Sequence, residues 1–216
     1  MAKKYRLGII GFGHMHVNHV AELYAQHPQV EWVACADTIP LVPEQREAPY
    51  TRQWNLKHAL NELGVPKAYP DYHDMLAKEH FDVIIVTSEN AQHADITEAC
   101  ARAGVHVCVE KPMANSLSDA LRMARACQAA GTKLVDNWPL TWSPQAHKIK
   151  QLIDEGAVGR ILEVKWRAGH TGPLGPGAAH EGVSDQAAPM SGAERGATWW
   201  HQSAAGGGAP RWLYLC

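Results

Sequence analysis

Leu7-Gly8-Ile9-Ile10-Gly11-Phe12-Gly13 is an apolar run that ends in Gly-x-Gly, close to the start of the chain. A second apolar run, Val30-Glu31-Trp32-Val33-Ala34-Cys35-Ala36-Asp37, ends on a carboxylate. Between them Val17, Val20, Ala21 and Tyr24 recur at the i, i+3, i+4, i+7 spacing of an amphipathic helix. Strand, glycine turn, helix, strand and acid, in that order, make the opening unit of a dinucleotide-binding domain. Each residue type has a reason to be there. Gly11 lets the chain turn tightly out of the first strand. Gly13 has no Cβ, so backbone N–H groups at the helix start can approach a diphosphate. Asp37 is placed to accept from ribose hydroxyls. One position departs from the fingerprint: His16 stands where a third glycine normally permits close helix–strand packing. The plain alternative for Gly-x-Gly alone is a strand-to-helix turn with no ligand.

The alternation continues down the chain. Strands are expected at 6–10, 30–36, 82–87, 105–109 and 133–135, and helices at 14–26, 52–63, 72–79, 91–103, 116–130 and 144–155. The β-branched runs at 81–87 and 105–109 suit a sheet covered on both faces. Such alternation predicts a parallel sheet with right-handed crossovers. Pro40, Pro43 and Pro49 make 38–50 a loop, and 161–167 alternates like one more strand. Beyond 168 the periodicity vanishes, and Gly, Pro, Ala and His dominate 169–198. The alternating region, read as a dinucleotide-binding domain, spans 1–136, and 137–216 is read as a second part of the chain whose Gly-rich stretch is either a long substrate-facing loop or partly disordered sequence.

Composition narrows the partners. Of 216 residues, 46% are hydrophobic and 19% charged, with a formal net charge of −2, values ordinary for a globular protein. Without a basic run or stripe, no nucleic-acid partner is expected. No apolar stretch reaches the ~18 residues of a membrane span, so no membrane association is expected. Met-Ala-Lys-Lys-Tyr-Arg leads straight into a strand without a signal peptide, which points to the cytoplasm. Cys35, Cys100, Cys108, Cys127 and Cys216 form no CxxC pair and read as small buried hydrophobes.

A second motif lies at the end of the strand expected at 105–109, where open α/β sheets bind ligands. There Glu110-Lys111-Pro112 follows Ala103-Gly104-Val105-His106-Val107-Cys108-Val109. Upstream runs Val86-Thr87-Ser88-Glu89-Asn90-Ala91-Gln92-His93. Together with Gly-x-Gly and Asp37, these segments resemble the glucose–fructose oxidoreductase / inositol dehydrogenase family, the Gfo/Idh/MocA oxidoreductases. Asn137 through Pro144, Leu152 through Gly156 and Gly159-Arg160-Ile161 are similar to that family's crossover into its second domain, and the likeness runs on to Ala209.

The resemblance implies a Rossmann-type doubly wound parallel α/β sheet followed by an α+β substrate domain. It implies an NAD cofactor, with NADP possible, and hydride transfer between nicotinamide and a hydroxyl carbon of a sugar, polyol or related small molecule. A homo-oligomer is possible. Gly11, Phe12, Gly13, His14 and Met15 match the family's diphosphate loop, and Asp37 its ribose-binding acid. Thr87, Ser88, Asn90 and His93 match the loop beside ribose and nicotinamide. Glu110 and Lys111 match the pair under the nicotinamide, and the Lys111–Pro112 peptide matches one that is often cis. Asn137, Trp200 and His201 match positions near substrate. Lys111 is the expected catalytic group, donating a hydrogen bond to the reacting oxygen or taking its proton. As a base near neutral pH its pKa must fall from ~10.4 to about 7. Desolvation and a cationic nicotinamide push that way, and Glu110 pushes back while orienting the ammonium. Asp37 repels a 2′-phosphate, and Thr38, Ile39 and Pro40 supply no arginine, so NAD is favoured over NADP.

The family continues Gly-Gly-Gly with an active-site Asp and His; at that spacing from Gly206-Gly207-Gly208 this chain has Trp212 and Cys216. The resemblance therefore implies a truncated, incomplete second domain, a strand at 161–167 without partners, and impaired turnover. Two alternatives stay open. One is a non-catalytic NAD-binding module. The other is a metal-dependent hydrolase barrel using His14 and His16, whose His-x-His spacing after a strand suits zinc.

Overall fold

A computed structural model describes residues 3–13, 16–38 and 51–165. Six strands, β1 (Tyr5–Ile10), β2 (Val30–Ala36), β3 (Ala68–Tyr69), β4 (Val83–Val86), β5 (His106–Glu110) and β6 (Leu134–Asn137), form one sheet in the order β3-β2-β1-β4-β5-β6. Every pairing is parallel. The connections are α1 (His16–Ala25), α2 (Arg52–Asn61), α3 (Tyr72–Lys78), α4 (His93–Arg102) and α5 (Leu117–Ala130), with α6 (Pro144–Asp154) following the sheet. This is the doubly wound order, and it reverses direction between β1 and β4.

The period of two along each strand divides the core. Ile9 and Cys35 point to one face, where Phe12, Val17, Ala21, Leu56, Ala59 and Val65 bury them beneath α1 and α2. Ile10, Ala34 and Ala36 point to the other, against Met75, Ile96, Cys100 and Met123 of α3, α4 and α5. Both faces are thus dry, which is why the strands read as continuous apolar runs. Helix ends follow local chemistry. The Asp71 carboxylate accepts from the amides of His73 and Asp74 at the start of α3, and Ser116 accepts from the Asp119 amide at the start of α5. Ser143 caps α6 just ahead of Pro144.

The strands expected up to 135 and the six expected helices are present, their ends coinciding or shifted by at most two positions. Two differences are informative. β3 was not expected, because two residues are too short to show alternation. The strand expected at 161–167 is not formed over 161–165, where Ile161, Leu162 and Val164 are exposed and no ladder partner exists among the described residues. Residues 166–216 and most of the expected 38–50 loop lie outside the described residues. No described helix is long and apolar enough to cross a membrane.

Candidate nucleotide site

The sheet order reverses between β1 and β4, the switch point at which open α/β sheets bind ligands, and both sequence motifs lie at the carboxyl ends of its strands. Gly11 leaves β1 with φ of +91°, and a Cβ there would fall on the backbone of Ser88 after β4. The Thr87 hydroxyl donates to the Gly11 carbonyl at 2.7 Å, tying the two turns together. Gly13 is equally constrained by space. A Cβ on it would lie 2.8 Å from Arg52 Nη2 and 3.3 Å from Glu89 Oε1.

Asp37 lies at the carboxyl end of β2, beside this turn. Its Oδ1 accepts from the amides of Phe12 (3.2 Å) and Thr38 (2.8 Å) and pairs with the Arg52 guanidinium. Its Oδ2 is buried and has no hydrogen-bond partner among the described residues. Burial pushes the Asp37 carboxyl above its ordinary range, while Arg52 and the two amides pull it back. Arg52 also pairs with Glu89, and Glu89 Oε2 accepts from the Thr38 hydroxyl at 2.9 Å. One turn along α2, Asn55 donates to the Phe12 carbonyl at 2.9 Å and accepts from Asn18 at 2.7 Å. The start of α2 is therefore latched onto the glycine turn. Sequence reasoning missed Arg52, Asn55 and Glu89. An arginine absent from positions 38–40 arrives instead from α2, and only tertiary structure brings it there.

His93 starts α4 fully buried. Its Nδ1 lies 3.1 Å from the Met113 carbonyl and its Nε2 3.1 Å from the Ser88 carbonyl. It faces inward and braces the two loops. Burial pushes its pKa down, against the upward pull of those carbonyls and of Glu110. Ser88 and Asn90 are buried in the same loop.

Glu110 ends β5, buried. His16 Nδ1 lies 2.7 Å from its Oε1, and Asn137 Nδ2 donates to its Oε2 at 2.8 Å. Trp142 Nε1 in turn donates to Asn137 Oδ1 at 3.1 Å. His16, the residue in place of the third glycine, thus reaches across from α1 to the second motif. Lys111 follows, half-buried, and the Lys111–Pro112 peptide is cis. The metal-hydrolase alternative needed a closed barrel. The sheet is open, and among the described residues no cluster of three or more His, Cys, Asp or Glu is placed to hold a metal. His14, Met15, Trp200, His201, Trp212 and Cys216 lie outside the described residues.

The residues present fit a dinucleotide. Gly11 and Gly13 bring no side chain of their own to the turn, where Ser88, Arg52 and Glu89 pack close, and the buried Asp37 Oδ2, without a partner among the described residues, suits a donor such as a ribose hydroxyl.

An open sheet wound in this order, with its glycine turn at the switch point, defines the Rossmann class of folds. Residues 5–137 match the oxidoreductase family with an NAD-binding Rossmann fold, Gfo/Idh/MocA, and the chain belongs to that family. It is 28% identical over 171 residues to the myo-inositol 2-dehydrogenase of Thermotoga maritima, covering 78% of this chain and 47% of that protein. A myo-inositol 2-dehydrogenase structure from Lactobacillus plantarum superposes with a TM-score of 0.61 at 25% identity, over 74% of this chain and 44% of that one. The WlbA dehydrogenase of Bordetella pertussis, solved with NADH and UDP-GlcNAcA, gives a TM-score of 0.59 at 28% identity over the same shares. The chain spans just under half the length of these relatives.

Proposed function

We propose that this chain binds NAD(H) at the β1–β4 switch point and carries the cofactor half of a dehydrogenase acting on a hydroxyl carbon of a sugar or polyol. The observation that carries the reading is a buried Asp37 Oδ2, without a hydrogen-bond partner among the described residues, beside the tight Gly11–Gly13 turn at the switch point of the sheet. The family's members in the comparisons, inositol dehydrogenases and a sugar-nucleotide dehydrogenase, support the substrate class. When bound, nicotinamide would supply the site that accepts or donates hydride. Asp37 would hold the ribose, and the amides of the turn would hold the diphosphate. Lys111 would donate to the reacting oxygen or take its proton, so that charge developing there has a partner. Glu110, held by His16 and Asn137, would fix the end of β5 from which Lys111 projects. His93 serves this reading as a brace for the 87–90 loop. Residues from 137 onward would begin the substrate-facing domain.

A second reading, a non-catalytic NAD-binding module, is favoured by the Trp212 and Cys216 found where the family's active-site acid and histidine stand. One titration separates the outcomes. NADH fluorescence should rise on binding to the unaltered chain, and Lys111→Ala should bind within about threefold of it. Gly13→Val should lose at least tenfold in affinity, because its side chain meets Arg52 and Glu89. Unaltered binding by Gly13→Val would sink the site assignment. Slow or absent oxidation of myo-inositol by the unaltered chain favours the module, and brisk turnover abolished in Lys111→Ala favours the enzyme.

A further inference from the structure

The Arg52 guanidinium is the best-buried cation of the described chain, 1% exposed, yet it lies against the turn rather than deep in the core. It sits between two carboxylates. Asp37 belongs to the ribose position, and Glu89 has no part in the proposed chemistry. Its Nη2 stands 2.8 Å from where a Gly13 Cβ would be, so the guanidinium packs into the space that the glycine leaves. Arg52 divides its charge between these two carboxylates, next to a turn suited to an anion. Burying an unbalanced carboxylate is costly, and a guanidinium fork is the side chain best shaped to bind either carboxylate or phosphate oxygens.

We propose that Arg52 is a phosphate ligand of the nucleotide site, held at rest by Glu89 and passed to a phosphate oxyanion of the cofactor on binding. Glu89 is the stand-in for that oxyanion, and Asp37 keeps Arg52 close enough for the exchange. Asn55, one turn along α2 and hydrogen-bonded to Phe12, keeps the start of the helix against the turn while the guanidinium changes partners. The oxyanion is that of the diphosphate or of a 2′-phosphate, and either is within the same chemistry. This inference rests on the cofactor reading above and adds a residue and a resting partner to it.

Because Glu89 competes with the ligand, the two ends of the ion pair should respond with opposite sign. Titrations of the full chain with NADH and with NADPH, each variant first checked by circular dichroism and thermal melting, supply the test. Arg52→Gln should weaken binding at least tenfold, and Arg52→Lys, which keeps charge but loses the fork, should fall between. Glu89→Gln should tighten binding at least threefold. A loss in Arg52→Gln shared by both cofactors marks the diphosphate; a loss confined to NADPH marks the 2′-phosphate. If Arg52→Gln and Glu89→Gln weaken binding alike, the pair is a structural clamp and the proposal fails. It fails also if folded Arg52→Gln binds as the unaltered chain does. If the unaltered chain binds neither cofactor, the cofactor reading falls first and takes this one with it.

Discussion

At the scale of single residues, His93 shows how a motif residue can hold a site without entering it. A neutral imidazole has one N–H, so only one of the Met113 and Ser88 carbonyls receives a hydrogen bond unless the ring is protonated. Burial holds the folded pKa below the ~6.5 of an exposed histidine. Near that pH the unfolded chain therefore binds more protons than the folded one. The His93 contribution is intact above about pH 6.5 and is lost as the pH falls below it, levelling off beneath the folded pKa. Urea unfolding between pH 5 and 7.5 should show a steeper acid loss in the unaltered chain than in His93→Asn; parallel curves would refute the assignment. The placement of Gly11 and Gly13 in the turn after β1 and of Asp37 at the end of β2 was legible in the sequence, because local backbone and strand-end chemistry dictate it. Arg52 and Glu89 were not. Their meaning comes from a meeting between α2 and the turn after β4, 37 positions apart in sequence by subtraction of their numbers, and no periodicity marks it.

Elements follow from short-range rules that mostly agree with one another. α5 begins at Ser116, whose Oγ accepts from the Asp119 amide at 3.1 Å, and stops at Gly131, with φ of +68°. Ser116→Ala should cost about 1 kcal/mol in urea unfolding, the usual worth of such a cap, with little change in cofactor affinity. A change above about 3 kcal/mol would mean the hydroxyl does more than cap. Long periodic segments such as α5 and α1 were readable from the sequence for this reason. β3 was not, since its two residues join β2 only through the backbone of Cys35 and Ala36. At 161–165 the apolar alternation is not matched by a strand: such a pattern is necessary for pairing, and among the described residues it has no neighbour to complete a ladder.

For the whole molecule, the sheet separates two dry compartments, one under α1 and α2, the other under α3, α4 and α5. The glycine turn is rooted in the first compartment through Phe12 and Val17, while the strands that lead to Thr87 and to Lys111 are rooted in the second through Val86 and Val109. The fold class was legible because both compartments force continuous apolar strands, and the alternation of strand and helix then admits one handedness. Cysteine placement turns this division into a measurement. Cys35 lies in the first compartment and Cys100 in the second, and burial pushes each thiol up to about 12. At neutral pH only ~10⁻⁵ of such a group is thiolate, so alkylation has to wait for opening. Iodoacetamide labelling read by peptide mass spectrometry should therefore find both sites slow, and NADH should slow Cys35 more than Cys100. Equal protection would mean the two faces open together. Two native sulfur atoms, buried on opposite sides of the sheet, would then serve as separate clocks for its two faces.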